Sequence, residues 1–228
     1  MLNIIMTMLM LLGWLLLTMY KPVSIEKNLN NLKYVADKLV QIEWFIFFGT
    51  LLGYTRENNI IKNDDDIDIY VDLRFRDEII KIFQNTELNF DLSKIPNLSP
   101  FFLQGSRKLD DQKTYVDFYF FENNEQLSFI KEKHNFSGRS YLETNTMHIP
   151  KEIIYPIKPA KLRDLNIFIP NNPSECCQFL YGKDWKTPLS KSKDYFIDII
   201  NNKPMLVRKN QLRIKIWLLF IIKQGILW

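Results

Sequence analysis

Cysteine is nearly absent from this sequence: there are two, Cys176 and Cys177, and they are neighbours. Consecutive α-carbons lie about 3.8 Å apart, short of the ~4.4 Å at which disulfides begin, so a disulfide scaffold is excluded. Two thiols are also too few for a cysteine-rich zinc finger. Glycine is scarce as well, seven in 228 residues, about half or less of the usual ~7%. That excludes collagen, glycine-rich linkers and low-complexity tracts, and it makes each glycine worth locating. No sign of charge dominates: 30 basic against 26 acidic residues leave +4, spread along the chain apart from a cluster near the C-terminus. The electrostatic footprint of a nucleic-acid binder is missing, so no nucleic-acid partner is expected. No internal repeat is found. What remains is 46% hydrophobic and 14% aromatic residues with 25% charged, enough apolar mass to fold and, at this length, one ordinary domain with a modest extension.

Residues 2–20 carry no charged side chain. Nineteen residues reach about 28 Å as a helix, enough to span a bilayer. A cleavable signal peptide would be expected to carry a basic start and a small-residue cleavage site, and a buried core helix would be expected to carry a polar stripe; neither is evident, so a retained anchor is the preferred reading of residues 1–22. Lys21, Lys27, Lys33 and Lys38 follow the run and by the positive-inside rule favour a cytoplasmic domain. At the other end Arg208, Lys209, Arg213 and Lys215 precede the apolar run 216–222. Seven residues cannot span; a basic-flanked interfacial helix and a core-packing helix are both open.

Between the ends, Ile25, Leu29, Leu32, Val35, Ala36, Leu39 and Val40 recur at spacings of three and four behind Ser24, which predicts an amphipathic helix over 24–43. Trp44 to Phe48 reads as a buried strand ended by Gly49. Asp66 to Asp72 alternates carboxylate and apolar residues, as does Thr114 to Phe121, with Tyr115, Asp117 and Tyr119 on one face. Residues 75–83 are expected to be helical, the stretch around Pro96 and Pro100 a loop, and 156–173, with four prolines, extended or turn-rich. Ser174 opens a short helix ending near Gly182. Helices alternating with a few strands predict an α+β or α/β domain with a small mixed sheet flanked by helices.

The chemistry concentrates in residues 47–72. Asp66 and Asp68 sit two apart on a strand, so both carboxylates leave one face while Ile67 and Ile69 enter the core. Two such groups ~5 Å apart repel by roughly 3 kcal/mol at an effective dielectric near 20, and Asp64 and Asp65 add to the field. A hard divalent cation, Mg²⁺ or Mn²⁺, is the natural compensation. An acidic run in a loop is usually solvated, but this one is flanked by strand formers. Asp117, acidic on an aromatic strand, is costly unless it meets a charge or hydrogen bonds, and sharing the cation would supply both. Gly49 and Thr50 open a helical turn whose N–H groups could face an anion, and Arg56 could grip phosphate; a tight turn and a surface charge are the plainer alternatives.

GTLLGYTREN at 49–58 with the DDDIDI run at 64–69 resembles the LicD family of phosphocholine and phospho-alditol transferases, which includes the fukutin-related proteins, and so a nucleotidyltransferase fold. Residues 156–188, with YGKDW at 181–185, are similar to that family's closing segment. The likeness covers about 41–190. Asn63 stands where the family usually has an aromatic before the acidic run, and the structural-zinc segment of some animal relatives has no counterpart. The resemblance implies a domain over 23–195 with a tail at 196–228, a CDP-linked small alcohol as donor, a glycan or glycoconjugate acceptor, and release of CMP. It implies that Asp66, Asp68 and Asp117 hold the metal, with Asp117 alternatively taking the acceptor proton, and that Gly49, Thr50 and Arg56 fix phosphates. The rival readings are a nucleotidyltransferase releasing pyrophosphate and an inactive membrane-tethered scaffold. The resemblance also implies membrane anchoring and, in a eukaryotic cell, the secretory lumen, against the lysine count; a sequon at Asn135, Phe136 and Ser137 would report it.

Overall fold

Ser24 starts the first helix as its sequence position suggests: its hydroxyl accepts from the Lys27 N–H at 3.3 Å, and α1 runs Ile25–Lys38. The computed structural model describes residues 23–90, 100–134, 145–189 and 195–208. The apolar run at 2–20, the sequon at Asn135 and the 216–222 run lie outside the described residues. Among the described residues no helix is long and apolar enough to cross a membrane. Helix α1 ends earlier than the spacing of its apolar residues predicts. Leu39 caps it and is buried, whereas Val40 is 73% exposed, because the chain turns at 39–43 to enter the sheet.

That sheet has five strands: β1 (Trp44–Ile46), β2 (Asp68–Asp72), β3 (Asn89–Phe90), β4 (Phe102–Leu109) and β5 (Gln112–Phe121). Their spatial order is β1-β2-β5-β4-β3, with β2 and β5 parallel and every other pair antiparallel. The expected mixed sheet is therefore present, and strand β4 is an addition, since residues 101–109 gave no strand signal. Strand β2 begins at Asp68, yet the chain is tied to β5 earlier: Ile67 donates its N–H to Tyr115 O at 3.2 Å and accepts from Asp117 N at 2.8 Å.

Period-two alternation divides the sheet into two unlike faces. Ile67, Ile69, Val71, Val116, Phe118 and Phe120 are fully buried on one side. They pack toward α1 and α3 (Arg76–Phe83), where the Phe83 and Phe118 rings lie 5.8 Å apart. Gly105 is required on this side: a Cβ there would lie 2.8 Å from the Leu88 side chain. The other side carries Asp68 and Tyr70 on β2 and Asp117 and Tyr119 on β5, covered by α2 (Phe48–Glu57) and by the hairpin of β6 (Phe129–His134) with β7 (Asn145–Pro150).

The proline-rich stretch is more ordered than its composition suggests. It holds α4 (Lys151–Ile154) and a second hairpin, β8 (Lys158–Leu162) with β9 (Leu165–Ile169), turned at Arg163 with φ 52°. Helix α5 (Pro173–Tyr181) then starts one residue before Ser174, capped by the Asn172 side chain, and ends at Gly182 with φ 82°. A third hairpin, β10 (Tyr195–Ile200) with β11 (Lys203–Arg208), turns on Asn201 and Asn202, both at positive φ, and crosses the expected 195/196 division. His148 donates its backbone N–H to Asn202 O at 2.8 Å, so the turn is fastened to β7.

The β6–β7 hairpin is pinned to the sheet by a buried polar pair. The Tyr70 hydroxyl donates to the Glu132 carboxylate, and both side chains are fully buried. Burial, and then the Glu132 charge, push the Tyr70 phenol well above its ordinary pKa, so it stays a donor. Replacing Tyr70 by Phe removes a hydrogen bond to a buried carboxylate and should cost about 2 kcal/mol of stability by denaturant unfolding; an unchanged unfolding midpoint would show that the pair contributes nothing.

Candidate active site

Parallel pairing of β2 with β5 sets Asp68 directly beside Asp117, and antiparallel pairing of β5 with β4 sets Gln104 beside Asp117. One row of side chains on three adjacent strands is thus polar on a sheet face otherwise lined by aromatics. Asp66 joins it from the chain leading into β2, so that Asp66, Asp68 and Asp117 each bring a carboxylate oxygen within 4.8 Å of the others'. Asp64, Asp65 and Asp66 form a second, more exposed group of the same dimension. Asp68 and Asp117 are each 5% exposed.

Each buried carboxylate has a polar holder. The Thr50 N–H donates to Asp68 Oδ2 at 3.1 Å, and the Asp68 N–H donates to Thr50 Oγ1 at 2.9 Å. Gln104 Nε2 donates to Asp117 Oδ1 at 2.9 Å. Thr50 reaches Asp68 because α2 starts abruptly. Phe48 sits at φ 41°, an unusual conformation for a bulky residue, with its ring 4.5 Å from that of Tyr119 and 5.9 Å from that of Tyr70. Gly49 follows, and a Cβ on it would fall 3.1 Å from Asp68 Oδ2 and 3.2 Å from Asp64 Oδ2. Absence of a side chain at Gly49 therefore keeps a cradle of carboxylate oxygens open.

The structure thus groups Gly49, Thr50, Asp66, Asp68 and Asp117. Arg56 stands apart in the last turn of α2, about 9 Å of helix rise beyond Thr50, 3.5 Å from Glu57 and on the side that faces Cys177 of α5. Thr50's amide and hydroxyl are both engaged with Asp68. Asn63, where the family usually has an aromatic, has φ 66°, a conformation that asparagine adopts more readily than a bulky residue. Gln104 and Asp64 are the neighbours that sequence reasoning left without individual roles.

Burial, then the charges of Asp66, Asp64 and Asp117, hold the Asp68 carboxyl well above the ordinary carboxylate range, with the Thr50 N–H countering in part. Tyr119 is raised by its burial and then by Asp117, Asp68 and Asp66. The donor set is all oxygen and acidic, which suits Mg²⁺ or Mn²⁺ and not a soft metal.

Residues 41–172 match the LicD/FKTN/FKRP nucleotidyltransferase domain, more than half of the chain. The chain belongs to the LicD family. The ribitol-5-phosphate transferase FKTN of Homo sapiens is 25% identical over 178 residues, and that of Macaca fascicularis 24%. Each alignment takes in 74% of this chain and 35% of the relative, so this LicD-family chain spans about a third of the length of those proteins. Among solved structures, the lincosamide antibiotic adenylyltransferase LnuA with lincomycin bound aligns over 74% of this chain and 91% of that one, at 14% identity and a TM-score of 0.46.

A carboxylate whose pKa is raised on folding costs stability at pH values above its unfolded pKa, and that cost fades as pH falls through the raised value. Asp68→Asn removes the charge while an amide oxygen can still accept from Thr50. The metal-free variant should melt about 2–6 °C higher at pH 7. A lower midpoint would mean that the cluster is not under electrostatic stress.

Proposed function

We propose that this domain transfers a phospho-alcohol group, such as ribitol phosphate or phosphocholine, from a CDP-linked donor to a glycan hydroxyl, using Mg²⁺ or Mn²⁺ held by Asp66, Asp68 and Asp117. The observation that carries the reading is the convergence of those three carboxylates within 4.8 Å on a sheet face, beside a glycine that keeps the approach open. The family membership of residues 41–172 and the similarity to the ribitol-5-phosphate transferase FKTN supply the reaction class and one candidate group.

When bound, the cation supplies charge neutralisation at the donor pyrophosphate. The protein's own residues position and desolvate. Thr50 fixes Asp68 by two hydrogen bonds, and its hydroxyl, which only accepts there, keeps a proton to donate to phosphate. Gly49 leaves room for phosphate oxygens where any side chain would press on Asp68 and Asp64. The acceptor hydroxyl oxygen bonds to the phosphorus that carries the alcohol, the bond from that phosphorus to the CMP oxygen breaks, and the hydroxyl proton passes to Asp117 or to solvent. Arg56 would touch the donor only at its far end, given its distance along α2. A glycan acceptor implies the secretory lumen in a eukaryotic cell, with an anchor at residues 1–22 holding the domain at the membrane.

Incubation of the full chain with Mn²⁺, a glycan acceptor and a panel of CDP-alcohols should release CMP with at least one donor. Asp66→Asn should lower that rate about 100-fold or more while the protein stays folded, because the lost charge acts where charge is being neutralised. Pyrophosphate release from a nucleoside triphosphate, with no CMP from any CDP-alcohol, would replace this reading with nucleotidyl transfer.

A further inference from the structure

We propose that Gln104 is a positioning residue for the metal site, holding the Asp117 carboxylate in the orientation that lets it share a cation with Asp66 and Asp68; the inference rests on the metal reading above. Gln104 lies directly across β4–β5 from Asp117, as Asp68 does across β2–β5, so the three side chains form one continuous row. Its Nε2 donates to Asp117 Oδ1 at 2.9 Å. The amide turns its NH₂, the donor half, toward the Asp117 oxygen, so the contact has a fixed sense.

The residue type matters as much as the distance. A lysine or arginine at this register would also satisfy Asp117, but it would bring a positive charge to the rim and compete with a cation for the same oxygens. Glutamine fixes the plane of the carboxylate without altering the net charge of the cluster. Thr50 does the same for Asp68 from the opposite flank, again with neutral groups. The two most buried carboxylates of the triad are thus each held by an uncharged donor from a different element, the arrangement expected of outer partners that orient metal ligands. Gln104 itself is exposed, whereas Asp117 is 5% exposed. Its side chain contributes little to the core, so a positioning role can be separated from a structural one.

The test is Mn²⁺ titration of the full chain by calorimetry, comparing the parent with Gln104→Met, which keeps length and volume but cannot donate. Thermal midpoints in chelator are measured alongside. The expected result is roughly tenfold weaker Mn²⁺ binding with the metal-free midpoint unchanged within about 1 °C, since Gln104 is exposed and water can take over its hydrogen bond to Asp117. Equal affinity in the two proteins would overturn the role of Gln104 and leave the carboxylate site standing. A metal-free midpoint lowered by several degrees together with the weaker binding would assign Gln104 to folding and also overturn the proposal. A parent protein that takes up no Mn²⁺ would overturn both this inference and the metal reading on which it rests.

Discussion

Asp68 and Asp117 cannot move apart without breaking the parallel pairing of β2 and β5, and that constraint organises the rest of the molecule. Neighbouring strands lie about 4.8 Å apart, so two carboxylates in register repel by roughly 3 kcal/mol at an intermediate dielectric. The same strands bury Ile67, Ile69, Val116 and Phe118 on their reverse side. The apolar face that holds the sheet together thereby also holds the acidic face in a high-energy arrangement. On the proposed reading that arrangement serves a cation, whose charge would relieve the crowding of Asp66, Asp68 and Asp117.

Several local features make sense only against that background. Helix α2 starts with Phe48 in a left-handed conformation that costs of order 1 kcal/mol or more, and the aromatic contacts of its ring with Tyr119 and Tyr70 offset the strain. The return is placement of the Thr50 N–H and hydroxyl on Asp68. Gly49 has no side chain where carboxylate oxygens crowd, and Gly53 meets the backbone of Asn59 and Ile61 at distances of 2.6 and 2.9 Å from its would-be Cβ, which seats the far half of the helix against the loop leading to the acidic run. Gly49 and Gly53 thus stand where charge or backbone comes too close for a side chain.

The parts legible in the sequence were those whose burial follows a simple period. Alternation from Asp66 to Asp72 and from Thr114 to Phe121 correctly separated acidic from apolar faces, and the carboxylate triad followed from it. Strand β4 escaped because its inward positions break the pattern. Gly105 sits beneath Leu88, and Arg107 is buried by hydrogen bonds to Glu87, Asn30 and Asn31 and by the Tyr34 ring at 4.0 Å. Neither residue reads as apolar, so the strand that carries Gln104 was invisible. Prolines between 156 and 173 hid the β8–β9 hairpin for a related reason: composition reports breakers, whereas pairing depends on which backbone groups face the partner. The hydrogen bonds between Thr50 and Asp68 were not legible in the sequence, since they depend on where the start of α2 meets β2.

Direct observation of the cation tests the account most sharply. Crystals of the full chain grown with Mn²⁺ and measured at the manganese absorption edge should show an anomalous peak with oxygens of Asp66, Asp68 and Asp117 about 2.0–2.3 Å away, the range of hard divalent ions bound by carboxylates. Full occupancy of Mn²⁺ elsewhere, with no peak among those three side chains, would contradict the claim that β2 and β5 are built to hold a metal.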